Sequence, residues 1–78
     1  MHIVIAKVNE VYFDGEAYSL HVQASDGEMT VLSEHMPLIT TLKAGVISVK
    51  ESADAHPKEF PTDGGVLEVR RDGATVIL

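Results

Sequence analysis

The sequence predicts an all-β fold, a small β-sandwich or barrel of about eight to ten short strands, on three observations. Short runs rich in Val, Ile and Leu alternate with polar residues. Turn signals interrupt the chain every several residues, and no segment sustains a helical period. The 78 residues make a single domain, residues 1–78, with no internal repeat or linker. A chain this short buries only about 60% of its unfolded surface, so modest stability is expected.

Each element follows from local pattern. His2 to Val8 is rich in Ile and Val and too short for an uncapped helix, so it reads as a strand. Val11 to Phe13 resumes extended structure, and Asp14-Gly15 is a turn signal. Ala17 to Ala24 has the cleanest period of two: Tyr18, Leu20, Val22 and Ala24 share one face, and Ser19, His21 and Gln23 share the other. Asp26-Gly27 turns the chain into a strand from Met29 to Leu32. Ser33 to Pro37 is an irregular corner, because Pro37 pushes Met36 toward an extended conformation.

Leu38 to Lys43 reads as either a short helix or an irregular apolar segment. Val46 to Lys50 alternates again, and an inward Val46 would leave that strand covered on both sides near its start. Glu51 to Pro57 is polar and broken by proline, as in a hairpin tip or a mobile loop, and Phe60 anchors the return strand. Thr62 to Gly65 is a turn into Val66 to Arg70, with Leu67 and Val69 on one face. Arg71-Asp72-Gly73 turns into a last strand, Ala74 to Leu78. Phe13, Tyr18 and Phe60 are expected in the core or at its edge.

Composition narrows the function. The net charge of −6 is spread along the chain and the only adjacent basic pair is Arg70-Arg71, which argues against nucleic-acid binding. Without cysteine there is no thiol nucleophile and no thiolate metal site. No apolar run approaches the roughly 20 residues of a membrane span, and the first residues lack the zones of a secretion signal. None of His2, His21, His35 and His56 has a second histidine two to five residues on, so local metal-ligand spacing is missing. Ser19 and His21 could share a strand face, yet no Gly-x-Ser-x-Gly elbow supports a nucleophile. No catalytic residue, metal site or cofactor is expected.

The densest punctuation lies between Ser25 and Gly45, where turns and apolar anchors alternate as they do in a rigid contact surface. Here Gly15-Glu16-Ala17, Gly27-Glu28-Met29, His35-Met36-Pro37-Leu38 and Leu42-Lys43-Ala44-Gly45-Val46 follow in order. Gly64-Gly65-Val66-Leu67-Glu68-Val69 and Ala74-Thr75-Val76 continue the series. Together they resemble the amino-terminal β-sandwich of the epsilon subunit of F-type ATP synthases, called delta in mitochondria. Each motif is weak alone; their order and spacing carry the likeness across essentially the whole chain.

The resemblance implies a non-catalytic part of the rotor, or central stalk, that couples proton or sodium translocation to ATP synthesis. Its partners would be the gamma subunit and the c ring, with membrane association only through the complex. A bacterial member would sit on the cytoplasmic face of the inner or plasma membrane. Carried over by position, Glu28, with Asp26 and Gly27, would face the c ring. His35, Met36, Pro37, Leu38 and Thr41 would contact gamma. Read without the resemblance, Glu28 is a solvated turn acid and His35 a capped loop histidine. A small ligand-binding β-sandwich is the alternative reading of the chain.

Three departures stand out. Leu32-Ser33-Glu34-His35 replaces the family's usual Leu-Pro-Gly-His, which removes a proline and a glycine, adds a charge and implies a differently shaped corner. Thr62-Asp63-Gly64-Gly65 replaces Ser-Gly-Gly and keeps both glycines. The family's sandwich is usually followed by a helical hairpin that carries inhibition of ATP hydrolysis and, in some members, ATP binding. The residues up to Leu78 include no such hairpin, so neither property is assigned to them.

Overall fold

Nine strands and no helix make up the computed structural model, which describes residues 1–78. They are β1 (His2–Lys7), β2 (Glu10–Glu16), β3 (Ser19–Ala24), β4 (Gly27–Leu32), β5 (Leu38–Leu42), β6 (Gly45–Lys50), β7 (Lys58–Thr62), β8 (Gly65–Arg70) and β9 (Gly73–Ile77). Hydrogen bonding runs β2-β1-β9-β8-β5-β3-β6-β7, with β4 branching from β3. Only one residue pair, Ala24 with Leu42, joins β3 to β5. The sheet therefore folds there into a five-stranded layer, β2-β1-β9-β8-β5, over a four-stranded one, β4-β3-β6-β7.

Alternation decides which side chains fill the space between the layers. From the five-stranded layer, Phe13, Ile5, Val76 and Leu67 stand in one row, because each is directly opposite the next. From the other layer, Val31, Leu20 and Val49 do the same. They belong to a cluster of 15 buried residues, with Met1, Tyr12, Met29, Leu38, Phe60 and Leu78 packed around it. At the far edge Phe13 meets Phe60 edge-on, with ring centroids 6.3 Å apart, and the Lys58 ammonium lies 5.7 Å from the Phe13 ring. This aromatic contact closes the side opposite the fold in the sheet.

Several expectations change. Asp14-Gly15 is not a turn. The chain reverses between β1 and β2, and Asp14 and Gly15 stay inside β2 opposite Val4 and Ile3. A bulge places Val11 against Ala6 and Phe13 against Ile5, leaving Tyr12 as the extra residue. Tyr18 precedes β3 and is half exposed rather than in the core; its N–H donates to the Lys50 carbonyl at 2.7 Å. Leu38 to Leu42 is neither helical nor irregular. Five successive pairings with β8, from Leu38–Val69 to Leu42–Gly65, hold it extended. Val46 faces outward.

One parallel pair, β1 with β9, joins the two ends of the chain. It starts at His2 opposite Gly73, and the fit there is close. A Cβ built on Gly73 would run into the His2 carbonyl oxygen and lie 3.1 Å from the His2 nitrogen. Both obstacles are backbone atoms, so no rotamer change relieves them. Gly73→Ala is expected to lose about 1–3 kcal/mol by forced separation of β1 from β9. Thermal unfolding followed by circular dichroism would show it; an unchanged midpoint would mean that the strands part without cost.

Candidate functional site

The candidate residues between Asp26 and Thr41 occupy two ends of the sandwich. Ser25 and Asp26 make the tight turn between β3 and β4, and Gly27, paired with Ala24, opens β4 at φ 129°, a conformation that suits glycine. Glu28 follows as the second residue of β4. Six residues of strand, about 20 Å at ~3.4 Å each, then carry the chain to the corner Ser33–Pro37.

In that corner His35 Nδ1 lies 2.8 Å from the Met36 carbonyl oxygen, so the ring donates from Nδ1. Met36 is 78% exposed. Leu38 turns inward against the core. Thr41 faces out at the other end of β5, where its hydroxyl donates to Ser25 Oγ at 3.0 Å and its carbonyl accepts from the Ser25 N–H. The gamma candidates are thus not one cluster: His35, Met36 and Pro37 sit at the corner, while Thr41 lies near the Asp26–Glu28 turn.

Thr41 leads to residues that the sequence reading did not single out. Register places Thr41, Val66, Ile77, Ala6 and Val11 directly opposite one another across β5, β8, β9, β1 and β2. At ~4.8 Å per strand this outward row is about 19 Å long. Val66 is 42% exposed, Ile77 51% and Val11 62%. Ile39, beside it on β5, is exposed as well. Adjacent apolar pairs such as Leu38-Ile39, Val66-Leu67 and Val76-Ile77 were the available signal: a strand with apolar residues at both parities has two apolar faces.

Toward the opposite end the same face becomes ionic. His2 Nε2 lies 2.6 Å from Asp14 Oδ1 and its Nδ1 3.4 Å from Glu16 Oε2, while Arg70 contacts Glu68 at 3.1 Å and Asp72 at 3.6 Å.

The outer face of the four-stranded layer is polar along its middle, between exposed Leu32 and Val46. Thr30, His21, Ser48 and Glu59 form a row across β4, β3, β6 and β7. His21 Nδ1 is 2.9 Å from Thr30 Oγ1 and its Nε2 is 3.0 Å from Glu28 Oε1. Ser19 is buried, and the His21 ring is engaged by Thr30 and Glu28 instead. This chain of carboxylate, imidazole and hydroxyl lies on an open strand face. His56 is in the β6–β7 loop, away from the other three histidines, and no group of three or more His, Cys, Asp or Glu is placed to hold a metal ion.

A model of the ATP synthase delta/epsilon chain β-sandwich domain matches residues 1–78. The chain belongs to that family. It is 32% identical over 77 residues to ATP synthase epsilon chain 2 of Burkholderia orbicola, covering 99% of this chain and 51% of that protein. It is also 32% identical over 77 residues to the epsilon chain of Herminiimonas arsenicoxydans, covering 99% and 55%. The chain thus spans about half the length of these relatives. Among solved structures, a chain of the Euglena gracilis mitochondrial ATP synthase (OSCP/F1/c-ring) superposes with a TM-score of 0.85 at 18% identity, over 96% of this chain and 48% of that one. One from the Tetrahymena thermophila central stalk and c ring gives 0.78 at 14%, over 99% and 61%. At these identities the superpositions establish the shared fold.

Membership of the delta/epsilon family gives meaning to the corner. Glu34 stands where the Leu-Pro-Gly-His pattern has glycine, and at φ 66° it is the one non-glycine residue with positive φ. The corner thus adopts a left-handed turn that glycine takes freely, and the glutamate bears the steric cost. Replacing Glu34 with Gly should stabilise the domain by about 1 kcal/mol. A chemical denaturation midpoint that fails to rise would mean that the Glu34 side chain compensates its own strain.

Proposed function

We propose that this chain is the β-sandwich of an epsilon subunit in the central stalk of a bacterial F-type ATP synthase. There it would bind gamma and the c ring on the cytoplasmic face of the membrane and couple ion translocation to ATP synthesis. Its role is to hold and transmit rather than to catalyse. The observation that carries the reading is the pairing of a whole-chain family match with an exposed, mostly apolar row across the outer face of the five-stranded layer.

An interface of ordinary size covers about 800 Å² on each partner. That is roughly a sixth of the 4709 Å² surface, so a whole sheet face is needed. The row Thr41, Val66, Ile77, Ala6 and Val11 supplies the apolar centre that such an interface requires. His35, Met36 and Pro37, at the other end of β5, would make a second and separate contact. Asp26, Gly27 and Glu28, at the turn, would meet basic residues on the polar loops of the c ring, with charge complementarity assisting docking.

The test is affinity for the purified gamma subunit of the same organism. The unaltered chain should bind at micromolar strength or better. Ile77→Asp places a charge opposite Val66 and should weaken binding roughly thirtyfold, as the loss of a central interface residue does. Its unfolding midpoint should stay near that of the unaltered chain. His35→Ala combined with Met36→Ala should also weaken binding. Loss in the double alanine variant alone would confine the interface to the corner. Absence of binding by the unaltered chain would overturn the gamma reading.

A further inference from the structure

Glu28 is not a free turn acid. The β3–β4 hairpin pairs His21 directly with Thr30 and Gln23 with Glu28, so Glu28 is diagonal to His21 on one face. A carboxylate can only accept, so the His21 Nε2–H donates to Glu28 Oε1 at 3.0 Å. That fixes the tautomer of the neutral ring, and the Thr30 hydroxyl then donates to Nδ1 at 2.9 Å. His21 is itself held from the other side by its place opposite Ser48 on β6. Its side chain is 37% exposed and that of Glu28 is 69% exposed. The carboxylate is therefore accessible but tethered. Glu28 Oε2 accepts no hydrogen bond within the chain.

From this geometry we infer that His21 is a positioning residue for the c-ring contact: it selects one Glu28 rotamer and presents Oε2 to a cationic group of the partner. The inference rests on the reading of Glu28 given under the proposed function. A free glutamate loses rotamer freedom when it docks, and a glutamate already held by His21 and Thr30 loses less. The carboxylate also lies against the β3–β4 face rather than projecting from the tip of the turn. The partner's cation would thus approach over the outer face of the four-stranded layer, beside Gln23 and Thr30.

The experiment titrates the complex of this chain with gamma onto detergent-purified c ring from the same organism. Glu28→Gln should weaken binding. His21→Leu, which removes both hydrogen bonds, should weaken it about three- to tenfold, the loss expected for one ordered side chain. His21→Gln keeps a donor toward Glu28 and should recover most of the affinity, which a merely packed residue at this position would not require. The double variant His21→Leu/Glu28→Gln should be no weaker than Glu28→Gln alone, because the two residues act as one unit.

Thermal midpoints of the single variants, taken alongside, keep a folding defect from being read as lost docking. In addition, ¹⁵N NMR of the imidazole should show the Nε2–H form in the unaltered chain and a shifted population in Glu28→Gln. If Glu28→Gln weakens docking while His21→Leu does not, or if their losses add, the role of His21 is overturned and the Glu28 contact stands. If Glu28→Gln docks unchanged, the contact itself is overturned and the His21 role falls with it.

Discussion

The pairing of β1 with β9 is the contact on which the rest of the molecule depends. It is the one parallel pair in the sheet, and it joins strands from opposite ends of the chain. Without it, the β1–β2 hairpin has no hydrogen-bonded tie to β9, β8 and β5, and the five-stranded layer splits. Ile3, Ile5, Ala74 and Val76 are fully buried on the inner side of this junction. Ala6 and Ile77, opposite one another on its outer side, complete the apolar row. The requirement for glycine at residue 73 follows from the same place, since the backbone of His2 fills the space that any side chain there would need. One junction therefore sets the core and the candidate interface together.

The two outer faces have different chemistry, and neither can be reduced to solubility. Val11, Val66 and Ile77 on one face leave apolar area in water that a lone domain gains nothing by exposing. On the other face Thr30, His21, Ser48 and Glu59 are polar, and the first two satisfy each other. The ends of the sheet are protected against strand addition. β7 carries Pro61, which lacks an N–H, and β2 carries Glu10, Asp14 and Glu16. The molecule thus resists strand addition at β2 and β7 while it keeps one outer face available.

Much of this architecture was readable from the sequence, and the exceptions have physical reasons. The period of two predicted the burial of Leu20, Val22 and Ala24 and of Leu67 and Val69, because each strand has one wet side. The family resemblance extends to the whole chain, as the family match does. Asp14-Gly15 misled because a dipeptide reports local preference, whereas β2 is set by its pairing with β1. Leu38 to Leu42 looked ambiguous because its apolar residues face both ways; long-range pairing with β8 resolved it, and no local pattern could. The outer row escaped notice for a related reason. Its members come from five strands, so it exists only after the register is known.

The tie between His21 and Glu28 shows the same limit at the scale of one side chain. Seven positions separate them, and nothing in that spacing marks a pair. The two-residue turn Ser25-Asp26, closed by Ala24 opposite Gly27, creates it by setting the register that puts Thr30 opposite His21. A one-residue slip would send His21 and Glu28 to opposite faces, since side chains alternate along a strand. The turn therefore does more than reverse the chain: the left-handed Gly27 that closes it fixes which face the carboxylate occupies. In the stalk reading, Glu28 and the histidine two strand positions before Gln23 are one device, and the direction in which Glu28 can meet a partner is decided inside the hairpin before any partner arrives.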